Sequence, residues 1–199
     1  MKKFKLTSEF IVDISGVKLF RIKALIEFGN VKAGDLGGYI EKEENLSHMG
    51  DAWVSDDARI SGNAQVFGNA QVFGDAWVFG DAWVFGDARV SGNAQVFGNA
   101  RVFGNAWVSG NARVSGDAQV FGDARVSGDK DYAYAHGFGS CNRTTTFFRL
   151  KDGDVGVRCG CFYGTLAQFR DKVCETHGET KKAQEYLMLA DLMEIRFKN

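Results

Sequence analysis

A three-sided parallel β-helix is the fold class that the sequence predicts for residues 51–129, and three observations predict it. One unit, Ala-x-Val-x-Gly-Asp/Asn, recurs every six residues from Ala52 to Val126 without an insertion. Its third position is Val in every copy except Ile60, and only Asp56 interrupts the glycine column. The residue after Val is Phe or Ser, and at a lag of 18 residues Phe67, Phe85, Phe103 and Phe121 fall in one column.

Each element of the unit has a physical reason. A period of six does not fit 3.6 residues per turn, and each Gly would cost about 1 kcal/mol inside a helix. In an extended Ala-x-Val-x segment the side chains alternate, so Ala and Val share one face. Gly followed by Asp or Asn then turns the chain, because these residues tolerate left-handed backbone angles. Short strands and corners at a fixed period stack into a solenoid around an Ala-Val axis. The uniform Phe column favours three strands per coil, and so a little over four coils. The Val-x-Gly-Asn-Ala ladder resembles the left-handed β-helix of hexapeptide-repeat proteins, and that resemblance alone implies the left hand.

A solenoid exposes strand edges at both ends, and these need caps. Residues 1–50 suit an N-terminal β cap: 4–14 and 17–26 read as strands around Ser15-Gly16. Ile40 and Leu46 stand at multiples of six before Ala52, so a degenerate first coil is expected there. Residues 130–199 suit a C-terminal α+β module. Segments 144–150 and 155–162 flank Lys151-Asp152-Gly153-Asp154, a hairpin signal. Thr165 with Gln168 reads as a capping box that opens a helix, and Gly178 ends it. A second helix is expected over 181–195, with Ala183, Leu187, Ala190, Leu192 and Met193 as its apolar stripe.

Both flanks resemble a family found widely in bacteriophages and prophages, labelled as hexapeptide-repeat or polymer-forming cytoskeletal-like proteins. The stretches that carry the resemblance are Val31-Lys32-Ala33-Gly34-Asp35-Leu36-Gly37-Gly38-Tyr39-Ile40-Glu41 and Cys159-Gly160-Cys161-Phe162-Tyr163-Gly164-Thr165-Leu166, with Thr176-His177-Gly178 and Glu185-Tyr186-Leu187 beyond. The resemblance implies a phage setting, in the cytoplasm of an infected or lysogenic bacterium. It brings no catalytic residues.

The net charge of -1 excludes a strong general attraction to nucleic acid or an anionic membrane. No apolar run long enough to span a bilayer occurs, and Met1-Lys2-Lys3-Phe4-Lys5 lacks the apolar stretch of a signal peptide. Hexapeptide acyltransferases use a histidine near a coil face and a protruding loop. Here 51–129 contains no His and no insertion, which argues against acyl transfer and against a three-histidine metal site of the γ-carbonic-anhydrase kind. Cys159 and Cys161, with Cys141, Cys174 or His177, have the chemistry of zinc ligands. Their parity with Val155 and Val157 on one strand instead reads as apolar packing. No cofactor is expected.

The sharpest clue is aromatic. All four Trp fill the position between Ala and Val and should point out of the coil. The expected binding residues are Phe67, Phe85, Phe103 and Phe121, with Trp77, Trp83, Phe79, Phe97 and Arg101. A contiguous apolar ladder marks a contact. Self-association as a dimer or trimer, cover by the C-terminal helices, and a foreign partner all fit the sequence. The functional expectation is a non-enzymatic scaffold. An anti-defence factor that masks a host protein or sequesters a nucleotide signal is the alternative.

Overall fold

The computed structural model describes residues 2–139 and 142–198. Each repeat lays down a two-residue strand, one every six residues, from β4 (Trp53–Val54) to β16 (Arg125–Val126). Trp53 lies opposite Gln71 and Gln71 opposite Arg89, all in parallel, so a turn takes 18 residues and has three faces. The first face runs from Trp53–Val54 to Arg125–Val126, the second from Arg59–Ile60 to Arg113–Val114, and the third from Gln65–Val66 to Gln119–Val120. The repeat Ala and Val side chains fill the axis and are buried throughout. Each buried Val contributes about 1.5 kcal/mol.

The corners rest on glycine. Gly86 sits at φ +70°, and a Cβ there would stand 3.1 Å from the backbone nitrogen of Gly104 in the next coil. Asp56 is the exception in that column, at φ +56°. Its carboxylate accepts the Gly74 N–H at 3.0 Å, a local contact that offsets the strain.

The N-terminal segment forms β1 (Phe4–Val12), β2 (Lys18–Ala24) and β3 (Leu36–Ile40). β1 and β2 make the expected hairpin, turned by Asp13, whose carboxylate accepts from Ser15 N–H and Val17 N–H. β3 then continues the second face in parallel, so the solenoid has about five turns. Counting back by six from Ala52 puts Ile40 and Leu46 in the Ala column. The structure corrects this: Ile40 pairs with Ile60 and Leu46 with Val66, in the Val column. Two extra residues between Leu46 and Trp53 absorb the shift.

The C-terminal segment forms an antiparallel sheet of β17 (Tyr132–Phe138), β18 (Arg143–Arg149), β19 (Val155–Cys159) and β20 (Phe162–Thr165). Alternation on β18 splits two neighbours: Phe148 joins the solenoid core, and Phe147 joins a second core under the helices. Those helices are α1 (Leu166–His177) and α2 (Lys181–Phe197). The Thr165–Gln168 capping box opens α1 and Gly178 closes it, as the sequence predicts. Two expectations fail. The strand read as 155–162 breaks at Gly160, which takes φ +59°, and Cys161 lies in the resulting turn. On α2 the buried stripe is Ala183, Tyr186, Ala190, Met193 and Phe197, and Leu192 points away at 55% exposed.

Between coils every backbone N–H points toward the C-terminal end, as in Trp53 N–H to Ala70 and Arg59 N–H to Ala76. The N-terminal end therefore presents bare carbonyls, and each face meets donors there. Lys3 Nζ donates to Gly50 and Ala52 at 3.1 and 2.7 Å. Amides of Tyr39 and Glu41 take Ala58 and Ile60. The Asn45 side-chain amide takes Gly62 and Ala64. The C-terminal end presents bare N–H groups and meets acceptors: Asp129 for Arg113, the Tyr132 hydroxyl for Ser115, Thr146 for Gln119 and Asp131 for Ser127.

Two predictions follow from this geometry. Gly86→Ala should lower stability by about 1–2 kcal/mol in urea unfolding, the cost of a left-handed angle at a residue with a Cβ; an unchanged midpoint would contradict the corner geometry. Lys3 is 1% exposed. Burial lowers its pKa from 10.5 to about 8, against the opposing pull of Asp51. Between those values the unfolded chain holds the extra proton, so stability rises with pH across that window. The wild-type advantage over Lys3→Met should grow from pH 8 to 10.5, as read by urea unfolding at both ends.

Candidate functional site

The 18-residue turn stacks the residues after Val directly above one another. On the third face this makes a column of phenylalanine rings. Phe67 and Phe85 stack at 4.8 Å and 3° between planes, Phe85 and Phe103 at 4.8 Å and 4°, and Phe103 and Phe121 at 4.4 Å and 33°. This spacing is that of neighbouring strands. Each ring pair adds about 0.5–1.5 kcal/mol beyond its burial. Trp83 meets Phe67 edge-on at 6.0 Å, and the Arg101 guanidinium lies 4.9 Å from the Trp83 ring. The structure thus brings together Phe67, Phe85, Phe103, Phe121, Trp83 and Arg101. Phe79 and Phe97 stack separately on the second face at 4.9 Å, with Trp77 tilted against Phe79 at 4.5 Å.

Trp77, Trp83 and Trp107 follow one rule: each leans toward the preceding coil. Trp77 and Trp107 donate their indole N–H to Ser61 and Ser91, at 3.2 and 3.0 Å. Trp83 finds Phe67 at the equivalent place. Trp53 departs from the expected exposure, being only 7% exposed. Phe28 meets it edge-on, and Gly37 makes room, since a Cβ there would stand 2.6 Å from the Trp53 ring.

The helices do not lie along the ladder. They pack on the terminal sheet, at the end of the rod. The C-terminal module reaches the ladder at its last rung, where Tyr163 meets Phe121 edge-on at 4.7 Å and Arg158 lies 5.7 Å from the Phe121 ring. Burial, with the charge of Asp123, raises the Tyr163 pKa.

The Asp/Asn column also stacks. Asn63 donates to Asp81, Asn69 to Asp87, Asn99 to Asp117 and Asn105 to Asp123, each 18 residues on. The alternation keeps carboxylates from lying directly above one another in those columns.

The zinc candidates do not converge. Cys159 accepts a hydrogen bond from the Thr145 hydroxyl at 3.1 Å, and Cys161 and Cys174 are exposed. The shared-face reading of Cys161 is thereby corrected, because it sits in the turn after β19. His177 ends α1 with its ring stacked on Tyr186 at 5.7 Å. Cys141 lies outside the described residues. Among the described residues no group of three or more His, Cys, Asp and Glu could hold a metal. No described helix is long and apolar enough to cross a membrane.

Two features escaped the sequence reading. His48 stacks on Phe4 at 4.3 Å and accepts the Lys3 N–H at Nδ1, so its Nε2–H donates to Glu43 at 2.7 Å. Both ring nitrogens are occupied, which leaves no lone pair for a general base. Lys2 and then His48 hold the Glu43 carboxyl below its ordinary pKa. The second feature is on α2: Met188, Leu192 and Ile195 are 71%, 55% and 70% exposed, at a spacing that puts them on one helical stripe. The expected core stripe holds at Ala183, Ala190 and Met193, whereas Leu192 belongs to this exposed stripe.

Coil, caps and ladder together define a β-solenoid repeat protein. The family model described as YdcK Beta solenoid repeat matches residues 94–110 and 106–120, so this chain is similar to that repeat over part of the rod. No curated protein matches the chain.

Phe73 provides an internal control, because serines 55 and 91 stand above and below it in its column. Phe85→Ala should cost about 1–2 kcal/mol more than Phe73→Ala in urea unfolding, since Phe85 loses two stacking partners. Equal costs would mean that the stack adds nothing beyond burial.

Proposed function

We propose that the protein is a non-enzymatic scaffold that pairs with a second copy of itself through the third face, in the manner expected of a phage or prophage hexapeptide-repeat protein. The observation that carries this reading is the continuous column Phe67–Phe85–Phe103–Phe121, flanked by Trp83 and Arg101. A contiguous apolar strip of this kind marks a contact surface. Its periodicity supports a second copy as the occupant, because two identical solenoid faces share one repeat spacing. The flanks support it too: Arg101 runs on one side and the Asp87 and Asp123 corners on the other, so the face carries both signs and can complement itself.

The exposed stripe of α2 offers a second contact, suited to a partner helix that inserts its own apolar side chains between Met188, Leu192 and Ile195. The absence of histidine from the coils and the full occupation of His48 support a non-catalytic role. The reading as a sequestering factor for a nucleotide signal meets an obstacle in charge. The groove beside Trp53 is lined by Asp35, Asp51, Asp56 and Asp87 against Arg89, which repels phosphate. Masking of a host protein would use the same ladder, in a cytoplasmic setting that the phage resemblance implies.

Phe103→Asp places a charge in the middle of the column. Sedimentation equilibrium should show wild type as a dimer or larger and the variant as a monomer, with the circular dichroism spectrum retained. A wild type that stays monomeric would remove the self-association reading and leave the ladder to a foreign partner.

A further inference from the structure

The phenylalanine column ends differently at its two ends. At the C-terminal end Phe121 is closed off by Tyr163 and by the guanidinium of Arg158. At the N-terminal end Phe67 stacks on Phe85 on one side and otherwise lines an open groove of about 670 Å3. Glu43, Glu44, Leu46, His48 and Trp83 complete its walls. Lys2 and His48 already engage Glu43. Glu44 is exposed, and its carboxylate has no partner among the described residues.

A flat aromatic surface beside an unpaired carboxylate fits a planar cation. A guanidinium satisfies both at once, stacking on the ring and pairing its N–H groups with the carboxylate. The same chain shows the preference elsewhere. Arg101 lies over Trp83, Arg158 over Phe121 and Arg149 over Phe197. Phe67 is a terminal rung of the same column and lacks the guanidinium that Phe121 has.

We propose that this groove is a binding site for an arginine side chain presented by a partner peptide segment, with the guanidinium over Phe67 and paired to Glu44. The site shares Phe67 and Trp83 with the proposed pairing face, so a second copy seated there would compete with it. It requires Phe67, Trp83 and Glu44 and makes no use of Phe103.

The test is an NMR titration with three blocked tripeptides, Gly-Arg-Gly, Gly-Lys-Gly and Gly-citrulline-Gly, on full-length wild type and on Phe103→Asp. The Arg peptide should move the Trp83 indole N–H resonance with a Kd of about 1 mM. It should leave Trp77 and Trp107 in place, because their N–H groups are held by Ser61 and Ser91. Citrulline keeps the shape and loses the charge, and should bind several-fold more weakly. Glu44→Gln should weaken the Arg peptide by about threefold, the scale of an exposed ion pair. Phe67→Leu should erase the preference for Arg over Lys. The proposal is overturned if Arg and citrulline peptides shift Trp83 alike, if Glu44→Gln changes nothing, or if Trp83 does not respond. Binding that persists in monomeric Phe103→Asp separates this site from the self-association reading. Arg binding to a wild type that never dimerises would leave this proposal standing alone.

Discussion

Every backbone hydrogen bond between coils runs in one direction, and much of the structure is a consequence. A parallel stack gives each coil N–H groups on its C-terminal side and carbonyls on its N-terminal side. Inside the rod these satisfy one another. At the ends they cannot, and a buried unpaired backbone group costs about 1–3 kcal/mol. The two caps therefore need opposite chemistry. The N-terminal cap brings donors: the Lys3 ammonium, the Asn45 amide and the backbone of β3. The C-terminal cap brings acceptors: the carboxylates of Asp129 and Asp131 and the hydroxyls of Tyr132 and Thr146. A lysine 1% exposed would be an anomaly elsewhere. At the carbonyl end of a solenoid it is an answer to a fixed requirement.

The same regularity governs the surface. With 18 residues to a turn, a residue's place in the unit fixes its column, and its column fixes its neighbours. This is why the rod was legible from sequence: Ala and Val inward, Gly at the corner, Phe67 above Phe85 above Phe103. It also explains where legibility ended. Ile40 and Leu46 belong to the first coil, but two inserted residues shifted them into the Val column, and a count by six cannot see an insertion. Trp53 occupies an outward position and is nevertheless buried, because Phe28 comes over it from outside the repeat. Cys161 shares its parity with Val157 only if the strand continues, and Gly160 ends it. On α2 the expected core stripe holds at Ala183, Ala190 and Met193, but Tyr186 and Phe197 join it and Leu192 does not. For Trp53 and α2 the missing information was a contact between segments distant in sequence; for Ile40 and Cys161 it was a local insertion or turn.

The candidate surface divides in the same way. The ladder itself follows from a column count. Its terminations do not: Tyr163 and Arg158 arrive from the C-terminal sheet, and Glu43, Glu44 and His48 from the short turn before the repeats. The rod supplies a long aromatic strip with one closed end and one open end, and the caps decide which is which. That division of labour suits a binding scaffold, in which a rigid repeat sets spacing and non-repetitive ends set selectivity.

Native mass spectrometry of the wild-type protein, purified gently and sprayed over a range of concentrations, tests the central claim most directly. The account predicts whole-number assemblies of the 21.9 kDa chain, with the monomer share falling as concentration rises. A bare monomer at every concentration would contradict it.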